Sequence, residues 1–280
     1  MAISLSNAFV TLFDTEVKQG YQGESMLKEC VRFRGGVEGS THKFPKLAKG
    51  QATARVPQTD VVPINASFSN VTVTIEDFIA AEYSDIFNQS KVNFDERREL
   101  VQMLSKAIGR KHDQIILDAL ENSSTSLTVA NSIGGAGTNL NVAKLRNAKK
   151  LLDQKNVPAE DRHIVIHANS LDNLLSETSV TSSDFNTVKA LVSGELNTFL
   201  GFRFYTMGDR DEGGLPIDGS SDRTVYAFHK SALGMAEGIA PKTEINYVPE
   251  KTSFLVASMF SAGAASIDDE GIVKITCRES

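Results

Sequence analysis

The chain has 280 residues, 41% of them hydrophobic and 23% charged, with a formal net charge of −6. That length and balance suit a globular protein of one or two domains with a real core, and no Lys/Arg-rich run supplies the footprint of sequence-specific nucleic-acid reading. The two cysteines, Cys30 and Cys277, stand near opposite ends, which argues against a disulfide-rich secreted scaffold and for a reducing interior.

The opening stretch MAISLSNAFVTLFDTEV has neither a basic leader nor a sustained apolar core, so it does not read as a signal peptide. No window approaches the roughly 18 apolar residues of a membrane span. A soluble, cytoplasmic product with no membrane partner is expected. Residues 1–34 read as an N-terminal arm in which Phe9, Leu12, Phe13 and Val17 fall at helical spacing. That stripe fits equally a helix packed on its own core and an arm reaching a neighbour.

From Arg34 the sequence turns sharply (RGGVEGSTH), and Gly35, Gly36 and Gly39 supply the backbone freedom of a hinge. Residues 35–70 then form an extended loop, polar and lysine-rich (KFPKLAKGQATARVPQTD). Pro45, Pro57 and Pro63 confine any strands there to edges. A two-stranded β-arm is expected, from residues 43–47 and 51–56 out to 67–69. Such a hairpin is marginal alone in water. It is too polar to pack on its own domain and is therefore expected to lie on another subunit.

Val71, Val73 and Ile75 alternate with Thr72 and Thr74, the pattern of a half-buried strand over 71–77. After a connector, the run Asn93, Phe94, Asp95, Glu96 reads as a capping box, and acids in the first turn favour the helix N-terminus. Leu100, Leu104, Ala107, Ile108, Ile115, Ala119 and Leu120 follow a 3.6-residue stripe, predicting one rod about 40 Å long over 95–122. The Ser/Thr/Gly-rich stretch 123–140 is the expected domain boundary. Beyond it the pattern predicts helices over 142–154 and 168–177, strands over 163–167, 201–206, 224–229, 243–247 and 272–277, and a segment 253–264 of open type. Residues 178–195 read as a polar loop and 207–223 as a long flexible one. The strand 272–277 is expected to pair in one sheet with 71–77, bringing the end of the chain back to the long helix.

The glycines of GGAGTN precede a helix, but a dinucleotide fingerprint would need glycine where Leu140 stands, and a phosphate loop would need Gly-Lys-Ser/Thr. His163 and His167 bracket a strand, so their side chains sit about 13 Å apart, too far to share a metal. Neither cysteine has a companion His or Asp at motif spacing, and Asp268–Asp269 reads as solvated turn. No catalytic, cofactor or metal constellation is found, so an enzyme is not expected. A small α/β enzyme using the 134–139 loop is the alternative from another class.

The order of these elements resembles the major capsid proteins of tailed bacteriophages, which have the Hong Kong-97 fold, with the nearest likeness to short-tailed, podovirus-type coats. Phe44-Pro45-Lys46-Leu47 followed by Gln51-Ala52 resembles the family's opening of the extended loop. The strand 71–77 and helix 95–122 resemble its strand and spine helix. The run Asn156 to Arg162, the pair Gly201-Phe202 and the run His229-Lys230-Ser231-Ala232 resemble its axial-domain landmarks. The likeness covers about Arg34 to Cys277. It implies an α+β, Hong Kong-97-type capsid fold: N-terminal arm 1–34, extended β-loop 35–70, peripheral domain 71–125 and 241–280 with the spine helix, and axial domain 126–240. It also implies pentamers and hexamers closing into an icosahedral shell around double-stranded DNA contacted non-specifically, with a separate scaffolding protein, a portal protein and a decoration protein as partners. The product would be a virion capsid assembled in the host bacterial cytoplasm. An encapsulin-type compartment is the alternative within the fold. On this reading Lys43, Phe44, Lys46, Lys49 and Arg55 contact a neighbouring subunit, Glu96 and Glu99 offer the acids that meet them, and Gly35, Gly36 and Gly39 hinge the arm.

Overall fold

The structure, a computed structural model, describes residues 25–58, 60–61, 63–91, 95–176, 198–210 and 212–279. The stripe of Phe9, Leu12, Phe13 and Val17, the pair Asn93 and Phe94, and the loop 178–195 lie outside them. The strands are β1 (Arg32–Arg34), β2 (Thr41–Leu47), β3 (Phe68–Thr74), β4 (Glu76–Asp85), β5 (Thr128–Val129), β6 (Arg162–His167), β7 (Arg203–Met207), β8 (Asp222–His229), β9 (Leu233–Glu237), β10 (Lys242–Val248), β11 (Ser253–Ser266) and β12 (Ile272–Arg278). The helices are α1 (Ile86–Gln89), α2 (Glu96–Glu121), α3 (Val142–Gln154) and α4 (Ala168–Ser176).

The 14-residue β11 is the axis of the first sheet. Antiparallel β4 runs along one side of it, and β10 followed by β9 along the other, with β1 parallel outside β9. Side chains alternate across a strand. Phe254, Val256, Ser258, Phe260 and Ala262 therefore face α2, while Leu255, Ala257, Met259, Ser261 and Gly263 face away from it. The ring of Phe260 stacks on His112 of α2 at 4.4 Å, and the Arg97 guanidinium lies 4.8 Å over Phe254.

The second sheet runs β5-β12-β8-β6-β7, with β12 and β6 antiparallel to β8 between them. Its two faces feed two cores. Val165, Tyr226, Phe228 and Ile272 join the C-terminal half of α2, Phe260 and Met235. Ile164, Ile166, Val225, Ala227, Val273 and Ile275 pack under Leu145, Ala148 and Leu152 of α3 and Leu174 of α4. The long helix is thus held between the sheets at its C-terminal end.

The 26 residues of α2 give a rod about 39 Å long. Its start differs from the expected capping box. Asp95 is the N-cap and its side chain makes no capping bond; the Glu96 amide donates instead to Gln89 Oε1 at 3.2 Å. At the other end, Lys274 of β12 donates to the free carbonyls of Glu121 (2.6 Å) and Ser123 (3.0 Å), a cation on the negative helix terminus. In mid-helix the stripe continues through buried polar groups, His112 and Asp113. Burial, with Lys28 nearby, lowers the His112 pKa to about 4, so the ring stacked on Phe260 is neutral at pH 7. Asp113 accepts from the Met26 and Leu27 amides, from Ser25 Oγ and from Arg210, all near 3.1 Å.

Two expectations are corrected here. The strand foreseen over 71–77 does not pair with 272–277. It ends at Thr74 in a two-stranded sheet with β2, Glu76 opens a different strand, and β12 lies beside β8 and β5. Alternation marks each of these as half-buried but carries no information about partners. The stretch 207–223 is not a loose loop either. Arg210 bonds Asp113, the Gly213 amide donates to Gln114 Oε1 at 2.7 Å, and Leu215 is buried.

Replacing Asp113 by Ala strands the buried Arg210 guanidinium and two backbone amides, so it should cost about 3–5 kcal/mol in urea unfolding. Asn, which keeps an acceptor oxygen, should cost less.

Candidate functional site: the arm and its seat

β2 and β3 form the arm, paired antiparallel from Thr41–Thr74 out to Leu47–Phe68. Residues 51–56, foreseen as part of a strand, have no regular structure. The two faces of this hairpin differ in kind. His42, Phe44 and Lys46 with Ser69, Val71 and Val73 make the inner face. Lys43, Pro45 and Leu47 with Phe68, Asn70 and Thr72 make the outer one.

The inner face packs on the arm's own subunit, which corrects the expectation that the arm is too polar to do so. Phe44 (2% exposed) and Val73 (1%) form a small core with Ala236 and Ile267. The fit depends on two glycines. A Cβ on Gly234 of β9 would lie 2.7 Å from the Phe44 ring, and one on Gly263 of β11 would lie 1.9 Å from the Thr74 carbonyl oxygen. Only glycine lets the arm root approach this closely.

Ion pairs extend the seat. Lys46 Nζ lies 2.9 Å from Asp268, Lys49 bonds Glu270, and Lys155 at the end of α3 reaches the other Glu270 oxygen at 3.2 Å. The acids of the 268–270 turn are therefore the receivers of the arm's lysines, not an idle solvated turn. Lys49 and Lys155 hold the Glu270 carboxyl below the usual glutamate range. Lys43 and Arg55 are exposed. Phe44, Lys46 and Lys49 are thus engaged within their own chain. Glu96 accepts from Ser84 Oγ at 2.7 Å, and Glu99 is half-buried in the first turn of α2.

At the base of the arm, Gly36 (φ 67°) and Gly39 (φ 101°) adopt left-handed backbone with open space around them. Gly35 lies against the Phe33 ring. The turn is fastened between them, since the Val37 amide donates to the Glu237 carbonyl at 3.0 Å.

Residues weighed for chemistry have structural partners instead. Beside the 134–139 loop, buried Lys144 is spent on structure, its ammonium donating to the carbonyls of Thr138 (2.5 Å) and Thr276 (2.9 Å). His167 is buried between Asp209 and Glu279, and His163, lowered to about 4 by burial, lies between Tyr205 and Phe228. Burial pushes the Cys30 thiol up to about 11 and the Cys277 thiol up to about 12. Among the described residues no three His, Cys, Asp or Glu side chains are grouped to hold a metal, and no helix is long and apolar enough to cross a membrane.

Comparison with known proteins identifies the family. A family model described as phage capsid protein matches residues 5–279, and the chain belongs to that family. The fold agrees. The capsid of cyanophage P-SCSP1u is 15% identical over 100% of this chain and 96% of its own, with a TM-score of 0.77. The acidic stable capsid of Helicobacter pylori bacteriophage KHP30 is 13% identical over 98% and 97%, with a TM-score of 0.78. The capsid of Ralstonia phage GP4 is 12% identical over 100% and 98%, with a TM-score of 0.73. No curated protein matches the chain. The chain is a major capsid protein of the Hong Kong-97 type, a structural protein of the virion shell, and the matches favour this over an encapsulin-type compartment.

Phe44→Ala should destabilise the subunit by about 3–5 kcal/mol through lost burial and a cavity, measured by urea unfolding. The Glu270 bridge has the opposite visibility. A carboxyl with a lowered folded pKa contributes above its ordinary pKa and loses that contribution as pH falls through the lowered one. Acidification below the usual glutamate range should therefore raise hydrogen exchange at residues 46–49 while the Phe44 seat stays protected.

Proposed function

We propose that copies of this chain assemble as pentamers and hexamers into an icosahedral shell around the double-stranded DNA of a tailed phage, contacting that DNA non-specifically. The observation that carries the reading is the arm itself. Its root is locked into its own subunit, while its outer face and the stretch beyond carry large apolar side chains in solvent: Leu47, Val56, Val61, Ile64 and Phe68. Large apolar side chains left in solvent together on one projecting arm mark a contact surface. The likeness to phage capsids supports assembly in the host bacterial cytoplasm with a separate scaffolding protein, a portal protein and a decoration protein. The peripheral domain comprises residues 71–125 and 241–280, with α2 and β11, the axial domain residues 126–240, with α3 and α4, and residues 1–34 serve as an N-terminal arm. Neither domain has a catalytic role.

Lys43 and Arg55 are the arm cations left to meet a neighbour, and exposed pairs of this sort yield about 0–1 kcal/mol each, so they set register more than strength. Charge reversal at Lys46 and Lys49 should loosen the arm root and lower shell yield; unchanged yield would remove the electrostatic part. Electron microscopy of the expressed chain, alone and with a scaffolding protein, should show uniform closed shells or rings of five and six. A homogeneous small particle under both conditions would contradict the assembly reading.

Gly35, Gly36 and Gly39 form the hinge on which the arm turns between precursor and mature shells. Alanine at all three strains the left-handed positions and should block expansion while leaving initial assembly intact. Normal expansion of that variant, followed by particle diameter, would remove the hinge role.

A further inference from the structure

We propose that His167 is a proton-operated switch: neutral, its imidazole caps α4, and protonated, it releases that cap and binds Glu279 beyond β12. The inference goes beyond shell building and concerns how a single subunit responds to pH.

The first observation is where the ring stands. His167 ends β6 and the next residue begins α4, so the histidine occupies the cap position of that helix. The Asn169 amide donates to its Nδ1 at 3.2 Å, which satisfies one of the free N–H groups of the first turn. A ring nitrogen that accepts carries no proton, so this bond sets the neutral tautomer with its hydrogen on Nε2.

The second is that the same nitrogen faces an acid. Nδ1 lies 3.2 Å from Glu279 Oε1, on a carboxylate only 10% exposed. While the ring is neutral, two acceptors confront each other there. A proton taken from solvent onto Nδ1 turns that opposition into a charge-assisted hydrogen bond and forfeits the bond from Asn169. The two bonds exclude each other. One proton therefore chooses between the start of α4 and the exit of β12.

The third is the charge around the ring. Nε2 is buried without a hydrogen bond, although Asp209 Oδ1 stands 3.1 Å away. Arg223 of β8 touches the same two acids, at 3.0 Å from Asp209 and 2.7 Å from Glu279. Asp209 is exposed and its charge is screened by water, so Glu279 is the acid that decides. Arg223 and the positive end of α4 oppose a charged ring, and the next charges outward, Asp222 and Arg278, are paired with each other. The buried rings of His112 and His163 differ, since burial lowers each to about 4.

The test follows the imidazole nitrogens of the full-length, unassembled chain by 15N NMR between about pH 8 and 5, the range in which histidines exchange protons. The His167 ring should pass from the Nε2–H tautomer to the imidazolium, while His112 and His163 stay neutral as internal controls. With the same midpoint, hydrogen-exchange protection of the Asn169 amide should fall about fivefold, the scale of one lost cap. Glu279→Gln should lower that midpoint by about one pH unit, because the bond that favours the charged ring is weakened. A His167 ring that stays neutral throughout, or one that gains its proton while Asn169 keeps its protection, would overturn the inference in the wild-type chain alone. A midpoint unmoved by Glu279→Gln would overturn it as well.

Discussion

The close approach of the arm root to the first sheet is the constraint on which the direction of the arm depends. Gly263 leaves no room for a Cβ beneath the Thr74 carbonyl, and Gly234 gives the Phe44 ring a flat floor. These contacts fix which face of the hairpin is inner and which is outer. Two properties follow from that choice: Lys46 of the inner face and Lys49 just past the strand meet the 268–270 turn, and the apolar pair Leu47 and Phe68 is left pointing away from its own sheet. A hairpin that would be marginal alone becomes a directed projection because one end is packed.

The body that carries the arm is stiffened around α2. Its N-terminal half lies on one sheet, and its C-terminal half is enclosed by both. Asp113 nails the chain entering at Ser25 and the loop at Arg210 to the middle of the rod, and Lys274 closes its C-terminal carbonyls. Glu270 then links the arm to α3 of the second sheet through Lys49 and Lys155. The arm is therefore coupled to both halves of the subunit, by packing to one and by charge to the other. The packed seat is insensitive to salt, whereas the exposed lysine–glutamate bridges are screened by it.

Much of this was legible in the sequence, for a physical reason in each case. The periods of α2, α3 and β12 are local properties, and the bounds of α3 agree with expectation to the residue. The lysine-rich, proline-marked arm and the glycines at its base also announce themselves. Pairing was not legible: 71–77 and 272–277 share a pattern yet belong to different sheets. β4 was missed because its period is blurred, with Ile79 and Tyr83 on one face and Glu82 and Ser84 on the other, so neither face reads as core. The seat of Phe44 on its own subunit was not legible because nothing local reveals that Gly234, 190 residues later, provides its floor. Gly234 and Gly263 lie within strand-like sequence, where isolated glycine signals close backbone approach. That was the available signal for the seat.

The most direct measurement of the central claim is a cryo-electron microscopy reconstruction of assembled particles that traces residues 41–74 in each copy. The account predicts Phe44 seated on Gly234 of its own subunit, with Leu47 and Phe68 of the outer face against an adjacent copy. An arm whose outer face remains in solvent, or whose Phe44 has moved onto a neighbour, would contradict it.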